Sequence, residues 1–297
     1  MKYQVLLYYY YGHLADAAEL VAKQKARCAE LGLTGRILIA EEGMNGTLEG
    51  TVENTEVFVQ ELLSDPRFAG IHMKRSEGTG QAFPKLAVKL RGEIVTGSLK
   101  EDDFNPAEFT APYITAEELH TWIHSDKEFY IVDMRNEYEH LAGHFEGSHL
   151  PAFKNFRDLP EILPEIEHLK DKVVVTVCTG GVRCEKASGF LLKEGFGEVY
   201  QLHGGIVTYM EQYPNQDFVG KLYVFDGRVT MGFNTDSPEH KVIGRCRECG
   251  KPSENFVNDD ADLVYRRHFI CCEECAAKHP EYAPAGTAAW APKLATV

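Results

Sequence analysis

An apolar run, Val173–Val177, leads directly into a short glycine-containing loop and then into a helical pattern over residues 185–193. The loop reads Cys178-Thr179-Gly180-Gly181-Val182-Arg183-Cys184. A strand followed by a tight loop and a helix is typical of α/β domains, in which functional groups collect at the carboxyl ends of parallel strands. The sequence therefore predicts a mainly parallel sheet with Cys178 at its functional edge.

The loop has the composition of an anion-binding cradle. Gly180 and Gly181 can turn their backbone N–H groups inward around a negatively charged atom, and Arg183 adds a fixed positive charge. At the amino-terminal end of a helix, the helix dipole and unpaired N–H groups lower the pKa of a thiol. We therefore predict that Cys178 is a reactive nucleophile, surrounded by the loop residues up to Arg183.

The spacing within the loop separates two enzyme classes. Cysteine-dependent phosphatases use a Cys-x5-Arg loop, whereas only four residues separate Cys178 from Arg183 here. The shorter cradle favours a single sulfur atom over a tetrahedral phosphate. Cys184 is a second thiol that could resolve a persulfide on Cys178 as a disulfide or could simply pack in the core. Both interpretations of Cys184 stay open.

Length and composition predict a soluble chain of several domains. Its 297 residues exceed what one hydrophobic core usually serves, so we expect two or three domains. No stretch approaches the roughly 18–20 apolar residues that span a membrane, and no cleavage-site pattern follows the apolar start. We therefore predict a cytoplasmic protein with no membrane partner. In that compartment its eight cysteines indicate thiol chemistry or metal binding rather than disulfides.

The charge is unevenly distributed along the chain. A formal net charge of −14 argues against nonspecific nucleic-acid binding, because an acidic surface repels a polyanion. Residues 100–215 hold 10 basic and 21 acidic residues, however, so both ends of the chain are nearly neutral. The candidate RNA contacts near the amino-terminal end are Lys74, Arg75, Lys85, Lys89 and Arg91, provided that they share a face. A solvated strand edge is the alternative.

Residues 1–99 follow the order strand, helix, strand, strand, helix, strand. The predicted strands are residues 4–10, 35–40, 46–52 and 87–90, and the predicted helices are residues 14–31 and 54–64. Residues 71–74 are a further candidate for extended chain. This order is typical of a ferredoxin-like domain, an antiparallel sheet with two helices on one face. Residues 41–46 are predicted as a hairpin turn or, alternatively, as a substrate surface lined by Glu41, Glu42 and Asn45.

The rest of the chain divides by composition into three segments. Residues 100–112, which are charged and contain proline, are predicted as a linker. Residues 113–215 alternate apolar runs with helical stretches and are predicted as the α/β domain with the parallel sheet. Residues 216–297 form a cysteine-rich segment.

Two cysteine knuckles in that last segment indicate a metal site. Cys246-x2-Cys249 and Cys272-x2-Cys275 are separated by 22 residues, close to the spacing of a four-thiolate zinc ribbon. A zinc ion would stabilise a short segment that lacks much core. The alternative ligands are Cys271, His268 and His279, and the alternative to a metal is a set of free reduced thiols.

Several short motifs occur in order along residues 113–215: Asp133-Met134-Arg135, Glu139, Gly143-His144, Gly147-Ser148, the loop from Cys178 to Arg183, and His203-Gly204-Gly205. With these motifs the segment resembles the rhodanese-type sulfurtransferase domain. It implies that Cys178 carries a persulfide. We expect Asp133, Arg135 and His144 to support the fold rather than to take part in the chemistry.

The whole chain resembles the bacterial tRNA wobble-uridine hydroxylase family. The matching segments are residues 8–12, 35–39, 42–46, 133–136, 143–145, 178–188 and 204–206, together with the cysteine knuckles. Membership implies formation of 5-hydroxyuridine at the wobble position of tRNA, with molecular oxygen as co-substrate and with the loop cysteine required. A sulfur donor or a reductant would be a further partner, and the sequence carries no nucleotide-cofactor motif. A thiosulfate or persulfide sulfurtransferase is the alternative function.

Overall fold

The computed structural model describes residues 1–99, 104–152, 154–259 and 268–285. The chain forms two compact units, Met1–Thr110 and Ala111–Val297, called here the amino-terminal and carboxy-terminal units. Residues 100–103 of the predicted linker lie outside the described residues. Among the described residues, no helix combines the length and the apolar character that crossing a membrane requires.

The amino-terminal unit is a five-stranded sheet with two helices packed on one face. Its elements are β1 (Tyr3–Tyr11), α1 (Ala17–Glu30), β2 (Thr34–Ala40), β3 (Gly43–Thr51), α2 (Val52–Ser64), β4 (Lys74–Gly78) and β5 (Leu86–Leu90). The strand order is β4-β1-β3-β2-β5. Leu20 and Phe58 from the two helices share one core with Leu6, Ile37 and Leu48 from the strands. This arrangement confirms the predicted ferredoxin-like domain.

The fourth strand of that domain differs from the prediction. Lys74–Gly78, not residues 87–90, occupies the place beside β1, and Leu86–Leu90 is an additional strand that pairs in parallel with β2. β4 is an edge strand with a polar sequence, Lys-Arg-Ser-Glu-Gly, so it lacks the apolar alternation by which strands are recognised. β5 carries the stronger apolar pattern because Leu86 and Val88 pack against the helix-facing core.

The segment over residues 41–46 is a tight hairpin rather than an open surface. Only Glu41 and Glu42 form the turn, and β3 begins at Gly43, where an added Cβ would lie 2.0 Å from the Tyr10 carbonyl oxygen. The Glu42 carboxylate accepts a hydrogen bond from the Ile94 backbone N–H at 2.7 Å. Asn45 donates its side-chain amide to the Ile94 carbonyl oxygen at 3.4 Å. Glu42 and Asn45 therefore hold a neighbouring segment of the same unit.

The carboxy-terminal unit begins with a four-stranded parallel sheet in the order β6-β10-β9-β7. Its first elements are β6 (Tyr113–Ile114), α3 (Ala116–Ile123), β7 (Tyr130–Asp133), α4 (Glu137–His140), β8 (Gly143–Phe145), α5 (Leu163–Ile166), β9 (Val173–Val177), α6 (Val182–Lys193), β10 (Glu198–Leu202) and α7 (Gly205–Gln212). Short 3-10 helices flank α5 at Phe156–Ile162 and Glu167–Leu169. The predicted mainly parallel sheet is confirmed.

The chain after residue 215 folds back onto the same unit. Its elements are β11 (Phe218–Gly220), β12 (Leu222–Tyr223), β13 (Thr230–Met231), β14 (Phe256–Asp259), β15 (His268–Ile270), α8 (Glu273–Ala276) and β16 (Tyr282–Pro284). β11 pairs with β8, and β14 lies between β15 and β16. Tyr223, Val229 and Phe256 form a small core with Ala142 and Ile270. This core joins the cysteine-rich segment to the residues around α4.

Candidate active site and metal centre

Cys178 lies at the carboxyl end of β9, the strand between β10 and β7, and its side chain is fully buried. The Gly181 backbone N–H donates a hydrogen bond to the Cys178 Sγ at 3.2 Å. Gly181 adopts a φ of +100° at the position before α6, a conformation that favours glycine. The predicted cradle is therefore present, with the thiol facing the amino-terminal end of α6.

The surroundings of Cys178 favour its ionised form. Burial raises the pKa of the thiol, but a hydrogen bond from Cys184, the charge of Arg183, and the backbone N–H groups of both residues outweigh burial. The resulting pKa of Cys178 is about 6. Because this value lies below neutral pH, Cys178 is mainly a thiolate under ordinary conditions, as a nucleophile requires.

Arg183 does not stand alone in the loop. Its guanidinium group forms a two-pronged ion pair with Glu139 on α4, with N···O distances of 2.6 and 2.9 Å. The same guanidinium donates to the Thr179 hydroxyl at 3.2 Å. Both members of the pair are buried, so Glu139 fixes the position of the positive charge beside Cys178. The sequence pattern contains Glu139, but this anchoring function was not predicted from it.

A second helix holds the outer side of the loop. At the start of α7, the backbone N–H groups of Ile206 and Val207 donate to the carbonyl oxygens of Cys178 and Thr179 at 2.9 and 3.1 Å. Gly205, with a φ of +74°, makes this approach possible, since an added Cβ would lie 2.6 Å from the Gly181 nitrogen. The loop carbonyl groups are thus turned away from the thiol. The Gly204-Gly205 pair was visible in the sequence, but its contact with the loop was not.

Cys184 is the hydrogen-bond donor to Cys178. Burial and this hydrogen bond raise the pKa of the Cys184 thiol well above its ordinary value. Cys184 is therefore a protonated thiol in contact with a thiolate. The predicted alternatives for Cys184 were disulfide formation with Cys178 and packing; the observed contact also gives it a direct electrostatic effect on Cys178.

Asp133 and Arg135 form a fully buried ion pair at the end of β7. Arg135 also donates to the Gly143 carbonyl oxygen at 2.7 Å, which ties the end of β7 to β8. His144 on β8 places its Nδ1 3.2 Å from the His140 carbonyl oxygen. These contacts join α4, β7 and β8, and the supporting function of the three residues stays a prediction.

The five candidate RNA contacts do not form one cluster. Lys74 and Arg75 lie on β4, at one edge of the amino-terminal sheet, whereas Lys89 lies on β5 at the opposite edge. Lys85 and Arg91 flank β5 in sequence. The Lys74 side chain is buried with its ammonium 5.0 Å from the centre of the Tyr9 ring, and Arg75 is paired with Glu56 at 2.7 Å. The five residues therefore lie at both edges of the sheet and not in one cluster, and their contact with RNA stays a prediction.

The four knuckle cysteines come together as predicted. The Sγ atoms of Cys246, Cys249, Cys272 and Cys275 all lie within 4.8 Å of one another. The Sγ atoms of Cys249 and Cys272 are 3.7 Å apart. Tetrahedral zinc with Zn–S bonds of about 2.3 Å places its sulfur ligands roughly 3.8 Å apart, so this donor set fits zinc.

The alternative ligands have other contacts. The Cys271 Sγ lies 3.9 Å from that of Cys246 but outside the group of four. His268 shares a hydrogen bond with the Tyr223 hydroxyl at 2.9 Å, and His279 faces Glu281 at 3.0 Å. The geometry thus favours the four cysteines that the sequence analysis selected.

A second group of potential ligands lies on α3 and after α7. His120 and His124 both face the carboxylate of Asp217, with shortest N···O distances of 3.0 and 3.1 Å. The Tyr209 hydroxyl donates to the same carboxylate at 2.5 Å. Hydrogen bonds among these side chains therefore account for the cluster.

Three family models match the chain in succession. A UPF0176 acylphosphatase-like domain matches residues 3–94, a rhodanese-like domain matches residues 115–212, and a rhodanase C-terminal model matches residues 219–285. A tRNA uridine(34) hydroxylase from Cytophaga hutchinsonii is 42% identical over 98% of this chain and 96% of its own length. The chain belongs to the tRNA uridine(34) hydroxylase family.

Two Bacillus members of this family show similar agreement. The B. cytotoxicus protein is 43% identical over 93% of this chain and 85% of its own length. The B. licheniformis protein is 44% identical over 92% and 84%, respectively. Both carry the name tRNA uridine(34) hydroxylase. The resemblance and the fold class inferred from the sequence are therefore confirmed.

The lowered pKa of Cys178 predicts an unusual pH dependence of its alkylation. The rate of reaction with iodoacetamide should rise with pH through a midpoint near 6 and level off above pH 7, because only the thiolate reacts. Removal of the Cys184 donor in Cys184→Ala should move that midpoint upward. Mass spectrometry of the modified peptides measures both rates.

Cys28 is the internal control for this measurement. Burial raises the pKa of its thiol to about 12, so its alkylation should stay slow over the same pH range. A Cys178 midpoint between pH 8 and 9, the range of an ordinary thiol, would contradict the proposed stabilisation of the thiolate.

Proposed function

We propose that the chain converts uridine 34 of tRNA to 5-hydroxyuridine and that Cys178 is the reactive group of this modification. The observation that carries the proposal is the thiolate cradle around Cys178 in a chain that belongs to the tRNA uridine(34) hydroxylase family. On this proposal tRNA is the macromolecular substrate, and the enzyme acts in the cytoplasm, where tRNA is modified.

Molecular oxygen is the proposed source of the new hydroxyl group. Replacement of C5–H by C5–OH with O2 consumes two electrons and two protons and releases one molecule of water. The electrons must come from a reductant, for which we propose a small or protein thiol that becomes a disulfide. Cys178 and Cys184, whose side chains are in contact, would release these two electrons and two protons on forming a disulfide, which the external thiol would then reduce by exchange.

A persulfide sulfurtransferase is the second candidate function. It is favoured by the short cradle, in which the backbone N–H groups of Gly181, Arg183 and Cys184 face the Cys178 sulfur. A soft sulfur anion could be held there by the loop and by Arg183 without a metal ion.

One experiment separates the two candidates. We expect deletion of the gene to remove 5-hydroxyuridine and its derivatives from position 34 of tRNA, as measured by mass spectrometry of nuclease-digested tRNA. A sulfurtransferase would instead convert thiosulfate and cyanide to thiocyanate at a high rate and leave the tRNA nucleosides unchanged. Unchanged position 34 nucleosides in the deletion strain would overturn the proposed hydroxylation.

We further propose that Cys246, Cys249, Cys272 and Cys275 hold one structural zinc ion. The ion would link the knuckle at residues 246–249 to α8 and so stabilise the small apolar cluster that contains Val257 and Phe269. Four thiolate ligands leave no open position on a tetrahedral zinc ion, so the ion would not bind substrate.

Zinc content after purification tests this site. We expect about one zinc per chain in the unaltered protein and a loss of bound zinc in Cys272→Ser, measured by elemental mass spectrometry. Cys271→Ser is the matched control, since this neighbouring thiol lies outside the group of four and should leave the zinc content unchanged. Equal zinc loss in the two variants would contradict the ligand assignment.

A further inference from the structure

An exposed phenylalanine lies beside the catalytic loop although it belongs to the cysteine-rich segment. The side chain of Phe225 is 39% exposed. The centre of its ring lies 5.6 Å from the guanidinium carbon of Arg183. Single exposed apolar side chains are common on protein surfaces, but this ring also contacts a residue of the Cys178 loop, a position from which it can contact a bound substrate.

The backbone around Phe225 is rigidly held. Phe225 lies in the turn between β12 and β13, where the Val224 N–H donates to the Val229 carbonyl oxygen at 2.8 Å. The Asp226 carboxylate accepts hydrogen bonds from the backbone N–H and the guanidinium group of Arg228 at 2.6–3.0 Å. Val229 adopts a φ of +62°, which is strained for a β-branched residue. Such strain is typically retained where a turn must present a side chain in one position.

The ring of Phe225 is also supported from within the unit. It makes an edge-to-face contact with Tyr223, at 5.4 Å between ring centres. Tyr223 is itself buried, contacts the Tyr138 ring at 5.2 Å, and shares a hydrogen bond with His268. This aromatic layer stabilises Phe225 from beneath while leaving part of the ring open to solvent.

We propose that Phe225 is the stacking platform for the substrate nucleobase at the entrance of the Cys178 site. This inference rests on the proposed function and adds a binding residue to it. Single-stranded bases bind proteins by stacking on aromatic rings, and the Phe225 ring stays partly exposed while the Arg183 guanidinium lies over it. An enzyme that modifies a base must also hold it out of its stack, which a rigid platform achieves.

Phe225→Leu tests the platform, because leucine keeps an apolar side chain but removes the ring. The probe is a synthetic anticodon stem-loop with uridine at position 34, compared with the same stem-loop carrying an abasic site there. The unaltered protein should bind the uridine form about 5- to 150-fold more tightly, the range that corresponds to one base–aromatic stack. Phe225→Leu should bind both forms equally, and Phe225→Trp should restore the preference.

Phe109→Leu is the matched control. Phe109 is 40% exposed but lies in the amino-terminal unit, where it contacts Phe104, so its replacement should leave the preference intact. A Phe225→Leu protein that still prefers uridine as strongly as the unaltered protein would overturn the proposal. Tryptophan fluorescence of Phe225→Trp gives a second readout, after subtraction of the quenching seen with the unaltered protein. Equal quenching by the uridine and abasic stem-loops would also overturn the proposal.

The binding measurement is independent of the modification chemistry. A preference for uridine 34 that depends on Phe225, without formation of 5-hydroxyuridine, would contradict the proposed hydroxylation but leave the platform standing. Formation of 5-hydroxyuridine with unchanged rate in Phe225→Leu would contradict the platform alone. A docking site for another protein would appear as equal binding of both stem-loops by every variant, which also overturns the proposal.

Discussion

Cys178→Ala should abolish 5-hydroxyuridine formation in a deletion strain that expresses the variant. The alanine removes the sulfur at the centre of the loop, and the Cys184 thiol beside it stays buried, which raises the pKa of that thiol and keeps it a poor nucleophile. Cys178→Ser should be equally inactive, since a hydroxyl group in the same place remains protonated where the thiol is ionised. Mass spectrometry of position 34 nucleosides measures the result.

Cys28→Ala is the matched control for loss of a buried thiol. Cys28 lies in the core of the amino-terminal unit with burial similar to that of Cys178, so its replacement should preserve the modification. Substantial 5-hydroxyuridine in a deletion strain that expresses only the Cys178→Ala protein would show that Cys178 does not take part in the chemistry. If Cys28→Ala also lost the modification at unchanged expression, loss of any buried thiol would be enough to inactivate the protein. The proposed function of Cys178 as the reactive group would then be contradicted.

Glu139→Gln is expected to reduce the free energy of unfolding by about 3–5 kcal/mol, a large share of typical domain stability. The substitution removes the carboxylate paired with Arg183, and both side chains are buried, so the Cys178 thiolate would have to neutralise the guanidinium without it. Glu139 also accepts a hydrogen bond from the Asn136 backbone N–H at 2.9 Å. Urea denaturation of the purified variant measures the loss.

The control for this prediction is an exposed ion pair of the same type. Glu61 pairs with Arg27 on the surface of the amino-terminal unit, at 2.6 Å. Solvent screens that pair, so Glu61→Gln should change stability far less than Glu139→Gln does. Equal losses in the free energy of unfolding from the two substitutions would show that burial does not make the Arg183–Glu139 pair more important for stability than an exposed pair.

Local patterns in the sequence were sufficient to predict that the loop surrounds Cys178 and that the four knuckle cysteines come together. The strand before Cys178, the two glycines and Arg183 are consecutive, and each knuckle pair is contained within four residues. In the structure, the loop residues and the cysteines of each knuckle lie close together, as their spacing in the sequence indicated. The ferredoxin-like order was predicted for the same reason, because its helices and central strands each carry a strong apolar period.

Contacts between distant segments were not predicted. Arg183 and Glu139 are 44 residues apart, and nothing near either residue specifies the pairing. The contact of Phe225 with Arg183 depends on the return of the chain through β11, after the rhodanese-like segment has ended. The separation of the candidate basic residues was not predicted for a related reason, since β4 and β5 could be placed at opposite edges of the sheet only once the strand order was known.

Isotope labelling of position 34 is the most direct test of the claim that this chain hydroxylates uridine 34 with molecular oxygen through Cys178. Deletion strains that express either the unaltered chain or Cys178→Ser are grown under 18O2, and their tRNA nucleosides are examined by mass spectrometry. We expect 18O in the 5-hydroxyl group of uridine 34 with the unaltered chain and no 5-hydroxyuridine with Cys178→Ser. An unlabelled 5-hydroxyl group, or labelled product in both strains, would contradict the claim.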